Sequence, residues 1–337
     1  MFDADGTSIR SFEQIMGRRC TREEALQQLA ACPTAFETFS RFRTKEKEQI
    51  LRFLQGENSL TITYNNFFQY IMNPDTHRER LESLLSALIG EEVHIRQVLP
   101  CEGNRLAEQG SLVIMDVIAE LSDGSIVDVE MQKMGYLFSG QRSSCYAADM
   151  IMRQYNRVKS RRGKAFSYKD LKTVYLFVLM EKSPNEFRTY PYAYIHQRQT
   201  AYSSGIRLPD LARITYISLD TFRSLGQNIT TKLDAWLTFL SCDDAAHITE
   251  LVRNYPEFME YYKEIAVFRT NPEEVITMFS EALTILDRNT EKYMIEEMKE
   301  ELDETKQELG EKESMLECYR AKLRELGIDP DQIGKEM

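Results

Sequence analysis

Residues 123–132 read DGSIVDVEMQ, and the alternation of an extended chain sets Asp128, Glu130 and Gln132 on one side of it. Upstream, Asp116 is embedded in the nearly continuous apolar run SLVIMDVIAEL, residues 111–121. An acid inside an apolar strand needs a partner, and the turn between the two runs decides which partner it has. A two-residue Asp-Gly loop would pair Ser122 with Ser125 and put Asp116 on the face away from Glu130. A three-residue Ser-Asp-Gly loop pairs Leu121 with Ser125 and puts Asp116 opposite Glu130; Gly124 then stands where a left-handed residue follows a type I turn. Opposed residues share a face, with Cβ atoms roughly 4.5–5.5 Å apart. Carboxylates that close repel unless a cation lies between them. Mg²⁺ takes oxygen ligands, one or two of them carboxylates, and completes its shell with water and phosphate oxygens. The Gln132 amide, on the same side, would orient a water or a phosphate oxygen. The competing reading is that Asp128, Glu130 and Gln132 form the wet face of an antiparallel strand, the commoner fate of alternating polar residues.

These residues need elements to position them. Residues 12 to about 57 have helical spacing, with Leu26, Leu29 and Ala30 on one face and a capping box at Thr21 and Glu24. A second helix over 64–72 stops at Asn73-Pro74. From 78 to 89, Leu81, Leu84, Leu85, Leu88 and Ile89 build a helical stripe, and Glu82 projects at its margin. Strands follow over 92–99, 111–121 and 125–132, then a helix over 139–159 and a buried strand, TVYLFVLM, over 173–180. One more strand fits 213–219, and 231–286 is mostly helical. This order predicts an α/β core, a sheet whose faces are covered by helices. Four stretches are expected: a helical N-terminal extension (1–60), the α/β core (61–225), a helical region (226–290) and an acidic tail (291–337). In the tail Ile295, Leu302, Leu309, Leu316 and Leu323 recur every seven residues, with Met298, Thr305, Lys312, Tyr319 and Leu326 at the paired position. That pattern predicts a coiled coil and a homodimer, weakened by Thr305, Lys312 and Gly310.

Composition bounds the rest. The chain of 337 residues is 42% hydrophobic and 28% charged, as in an ordinary globular protein. Its longest apolar stretch, 174–180, is far short of the ~18 residues of a membrane span. With no apolar run at the amino terminus, a cytoplasmic protein is expected. Six cysteines without a C-x-x-C pair and four dispersed histidines favour reduced thiols over zinc or a disulfide framework. The net charge of -11 is unevenly placed: residues 133–172 carry ten Lys or Arg against two Asp, whereas 294–337 carry seven against fourteen acids. The basic run Arg153, Arg157, Lys159, Arg161, Arg162 and Lys164 suits a phosphate backbone, and Gln141 with Arg142 would face the acids from the start of the same helix.

An acid in one strand, E-x-Q in the next after a glycine turn, a Glu-bearing helix before and a basic helix with an apolar strand after form an ordered set. It resembles the PD-(D/E)XK nuclease superfamily and, within it, the recombination-promoting nuclease and putative transposase families. The segments that carry the resemblance are YNNFFQYIM (64–72), LESLLSALIG (81–90), VIMDVIAELSDGSIVDVEMQ (113–132), RSSCYAADMIMRQY (142–155), YKDLKTVYLFVLM (168–180) and MFSEALTILDRNTEKYMIEEM (278–298). Together they span roughly 60–300. The resemblance implies a restriction-endonuclease-like core, a mixed central sheet flanked by helices, that hydrolyses DNA phosphodiesters with Mg²⁺ or Mn²⁺. Asp116 and Glu130 match the metal-binding acids, and Glu82 is the candidate for the helix acid. Gln132 stands in the place of the superfamily lysine, and Met115 stands where proline often precedes the acid. A neutral amide positions but does not stabilise negative charge, so a decayed nuclease fold acting as an interaction or DNA-binding protein is the alternative.

Overall fold

The computed structural model describes residues 12–100, 117–133, 139–226 and 228–325. Among the described residues, α1 (Phe12–Met16), α2 (Arg22–Ala30), α3 (Pro33–Arg41) and α4 (Thr44–Gln55) occupy the first helical stretch. Local chemistry divides it. The Thr21–Glu24 capping box starts α2, Pro33 stands in the first turn of α3, and Gly56, at φ 73°, ends α4 in the left-handed conformation. Then come α5 (Asn65–Ile71), α6 (Arg78–Ile89), β1 (Ile95–Val98), β2 (Val117–Leu121), β3 (Ile126–Gln132), α7 (Ser139–Arg162) and β4 (Val174–Met180). The chain continues through α8 (Asn185–Arg188), β5 (Ile195–Gln197), β6 (Ala212–Ser218), α9 (Leu219–Leu225), α10 (Lys232–Ser241), α11 (Ala245–Asn254), α12 (Phe258–Arg269) and α13 (Pro272–Glu325).

The strands form one mixed sheet in the order β1-β2-β3-β4-β6-β5. The pairs β3/β4 and β4/β6 are parallel, and the other three are antiparallel. The patterning predicts the helix-covered sheet, and the mixed strand directions are those the family resemblance implies. β5 has no counterpart in the patterning, since its three residues are too few for a period-2 pattern to register. β1 is shorter than the expected 92–99, and its pairing with β2 shifts between Ile95 and Gln97.

Two cores cover the two faces of the sheet. Val127, Val129, Met131, Phe177, Leu179 and Ile217 join residues of the flanking helices, such as Leu29, Ile50, Trp236 and Tyr262, in the larger one. On the other face Ile118, Ile126, Leu176, Val178 and Ile214 pack with Tyr146, Ala147 and Met150 of α7. The chain divides into a compact unit up to Leu286 and a second from Asp287 onward. In the second, the heptad leucines Leu302, Leu309 and Leu316 are all more than half exposed. No helix among the described residues is long and apolar enough to cross a membrane.

Candidate active site

The hairpin that carries the polar stripe closes through three residues. The Leu121 N–H donates to the Ser125 carbonyl at 2.8 Å, and the Gly124 N–H donates back to the Leu121 carbonyl at 3.0 Å. Gly124 has φ +93°, a conformation that side-chain-bearing residues rarely adopt. Asp123 locks the turn by accepting from the Ser125 N–H at 2.9 Å and its hydroxyl at 2.7 Å. The register follows: Glu120 faces Ile126, Ala119 faces Val127, Ile118 faces Asp128 and Val117 faces Val129. A loop one residue shorter would have turned every side chain of β2 to the other face. Asp116, the next residue towards the amino terminus, lies outside the described residues.

The polar stripe is not a wet face. Asp128, Glu130 and Gln132 are 0%, 5% and 8% exposed, because α7 packs on their side of the sheet. In the parallel ladder Glu130 neighbours Val178 and Gln132 neighbours Met180. The first residue of α7 is anchored over this end, where the Tyr216 hydroxyl donates to the Ser139 carbonyl at 3.2 Å. Tyr216 is the next member of the Glu130–Val178 row. Two carboxylates and an amide thus share one buried face, a costly arrangement unless their oxygens are engaged.

Glu82 is not brought to Glu130. Its carboxylate accepts the Ile95 N–H at 2.7 Å and lies 3.5 Å from His94 Nδ1. Ile95 pairs with Leu121, at the hairpin end, five residues and on the order of 17 Å along the strand from Glu130. The helical wheel sets Glu82 beside the apolar stripe but carries no information about which end of the sheet it meets. The basic run is also sorted by the fold. Arg153 is 8% exposed and internal, with Nε 2.6 Å from Asp149 and Nη1 2.6 Å from the Pro100 carbonyl. Arg157 and Arg161 both reach Glu120, and Arg162 pairs with Asp170 at 3.5 Å. Lys159, donating to the Tyr155 hydroxyl at 2.6 Å, and Lys164 are exposed. Gln141 and Arg142 are exposed too, and Arg142 donates to the Tyr146 hydroxyl at 2.6 Å.

One polar cluster escaped the sequence reading. Lys133, directly after Gln132, has its Nζ 2.5 Å from Glu181, 3.2 Å from the Thr63 hydroxyl and 3.8 Å from the centre of the Tyr64 ring. The Thr63 hydroxyl also donates to Glu181. Burial lowers the Lys133 pKa against the opposing pull of Glu181. Burial, aided by the Glu181 charge, pushes the Tyr64 phenol up to about 12. The cluster draws on positions 63, 133 and 181, brought together because the Glu181 N–H donates to the Gln132 carbonyl at 2.8 Å. No local pattern could have shown it.

Among the described residues no three His, Cys, Asp or Glu side chains converge as a metal-binding group. Comparison with curated proteins and with solved structures finds no match. A family model described as PD-(D/E)XK nuclease family transposase matches residues 65–310, nearly three-quarters of the chain. The match takes in the sheet, its covering helix α7 and the E-x-Q strand, and the chain therefore belongs to the PD-(D/E)XK nuclease family transposases.

Proposed function

We propose that this chain hydrolyses DNA phosphodiester bonds with a divalent cation, Mg²⁺ or Mn²⁺, held by Asp116 and Glu130, as a transposase-like or recombination-promoting nuclease. One observation carries the reading: the register of β2 on β3. Continued by one rung past Val117–Val129, it would set Asp116 opposite Glu130. The donors on this face suit a hard cation, since Asp128, Glu130 and Gln132 offer carboxylate and amide oxygens from one buried strand. Such an ion supplies Lewis-acid polarisation of a phosphoryl oxygen and acidifies water.

Asp116 and Glu130 would hold the ion, their mutual repulsion relieved by it. Gln132 would accept a hydrogen bond from the attacking water, or donate one to a phosphate oxygen, and so fix the line of attack. Glu82 has no part in this reading, because its carboxylate is committed to β1. Arg153 is likewise excluded as a DNA contact by its burial, whereas Lys159, Arg161, Arg162 and Lys164 remain available to phosphates. The exposed heptad leucines of α13 would pair two copies of the chain. Sedimentation of the parent and of a Leu309→Glu/Leu316→Glu variant tests this: a dimer that becomes a monomer is expected, and equal masses would remove the pairing.

The activity is tested by nicking of supercoiled plasmid with Mg²⁺ or Mn²⁺. The parent is expected to nick, with Asp116→Ala and Glu130→Ala inactive. Equal rates in all three would refute the metal-site assignment. An inactive parent would favour the decayed fold that Gln132 in the lysine position suggests.

A further inference from the structure

At the hairpin end of the sheet, the turn 122–124, the last turns of α7 and residues 170–172 enclose a cavity of about 220 Å³. Five cationic side chains line it, Arg96, Arg157, Arg161, Arg162 and Lys172, against the acids Glu120, Asp123 and Asp170. The acids are already engaged. Asp123 closes the turn; Asp170 accepts the Ser167 N–H at 2.9 Å and pairs with Arg162. Glu120, 5% exposed, is shared by Arg157, Arg161 at 3.4 Å and Arg96 at 3.5 Å, and also takes the Gln97 amide at 2.6 Å. A carboxylate has about four lone-pair sites, while three guanidiniums present about fifteen N–H donors. Glu120 therefore holds the guanidiniums side by side without satisfying them, and two positive charges stay uncompensated around it. Lys172 makes no ion pair with any described residue. Positive charge in excess, gathered in a concave site with low-dielectric walls, concentrates oxyanions.

Beside the cavity stands an aromatic shelf. Tyr155 stacks on Tyr168 at 6.3 Å, Phe166 meets both rings edge-on at 5.3 and 5.4 Å, and Tyr168 is 75% exposed. The Arg162–Asp170 pair joins shelf to pocket.

We infer that this pocket is a second DNA subsite that grips a phosphate group in the arginine cluster while the adjoining base stacks on Tyr168. The inference takes DNA as the ligand from the function proposed above. Ile126, opposite Glu120, and Glu130 are four positions apart on β3, about 14 Å along the strand. The held phosphate is thus about four base-pair rises from the acids. Guanidinium forks match phosphate oxygens, and bases stack on exposed aromatic rings irrespective of sequence.

The test is DNA binding by the full-length chain in EDTA, read by fluorescence anisotropy over a salt series, so that its outcome is independent of cleavage. Arg161→Ala/Lys172→Ala should weaken binding about tenfold or more. It should also make the slope of log K against log salt shallower by about one to two. Lys172→Gln alone, which breaks no ion pair, should lower the slope by about one. Tyr168→Ala should weaken binding of single-stranded ends at least about fivefold, and Arg41→Ala, remote on α3, should change nothing. A loss shared by circular plasmid used as competitor identifies a backbone phosphate as the ligand; a loss confined to 5′-phosphorylated ends identifies a terminal one. Parental affinity and slope in both Arg161→Ala/Lys172→Ala and Lys172→Gln would overturn the subsite. If Glu130→Ala still nicks while these variants lose binding, the metal site fails and the pocket stands.

Discussion

The two faces of β3 are equally buried and chemically opposite. Val127, Val129 and Met131 enter the larger core at 5% exposure or less, and Asp128, Glu130 and Gln132 lie under α7 at 8% or less. The first face gains roughly 25 cal/mol for each Å² of apolar surface removed from water. The second face incurs a desolvation cost that only partners offset. Stability does not require that second chemistry. On the same side of the sheet, neighbouring β4 presents Val174, Leu176, Val178 and Met180, all buried beneath the same helix. Exchanging buried ionic groups for aliphatic ones is often neutral or stabilising, and the proposed cation site would offset the cost of this stripe.

Substitutions that separate activity from stability sharpen this contrast. The largest effect is expected from Glu130→Gln, which should lower plasmid nicking at least about 10²–10³-fold while the melting temperature stays the same or rises. A variant that melts lower and nicks as before would reverse the assignment of the two faces. Met131→Ala, one residue away on the apolar face, should cost roughly 2–5 kcal/mol in urea unfolding and leave nicking per folded molecule unchanged. The smallest effect concerns pH. Tyr64 belongs to the apolar-face core, and its phenol titrates near 12 in the folded chain instead of 10. The unfolded phenol therefore ionises first, so stability present below pH 10 is lost as pH rises towards 12, by up to roughly 2–3 kcal/mol. Tyr64→Phe should remove that share of the alkaline loss, seen as a smaller fall in urea midpoint between pH 9 and pH 11, with nicking at neutral pH unaffected.

What was legible in the sequence was what local chemistry decides. Gly124 marked the three-residue turn and hence the register, and the length and β-branched content of TVYLFVLM marked the central strand. The burial of Asp128, Glu130 and Gln132 was not legible, because alternation describes a strand's two sides and says nothing about which receives a helix. The fate of Glu82 depended on where α6 meets the sheet, and that is fixed by packing among residues far apart in the chain. Arg153 held a local clue, since Asp149 stands four residues before it on the helix, the spacing at which such pairs meet. Lys133, Thr63 and Glu181 held none, being neighbours only in three dimensions.

Calorimetric titration with Mn²⁺ in the absence of DNA asks whether Asp116 and Glu130 share one divalent cation, as proposed. The parent should bind, and Asp116→Asn and Glu130→Gln should each abolish that binding while remaining folded, with no further loss in the double variant. Parental Mn²⁺ affinity in either single variant would rule out a shared ion.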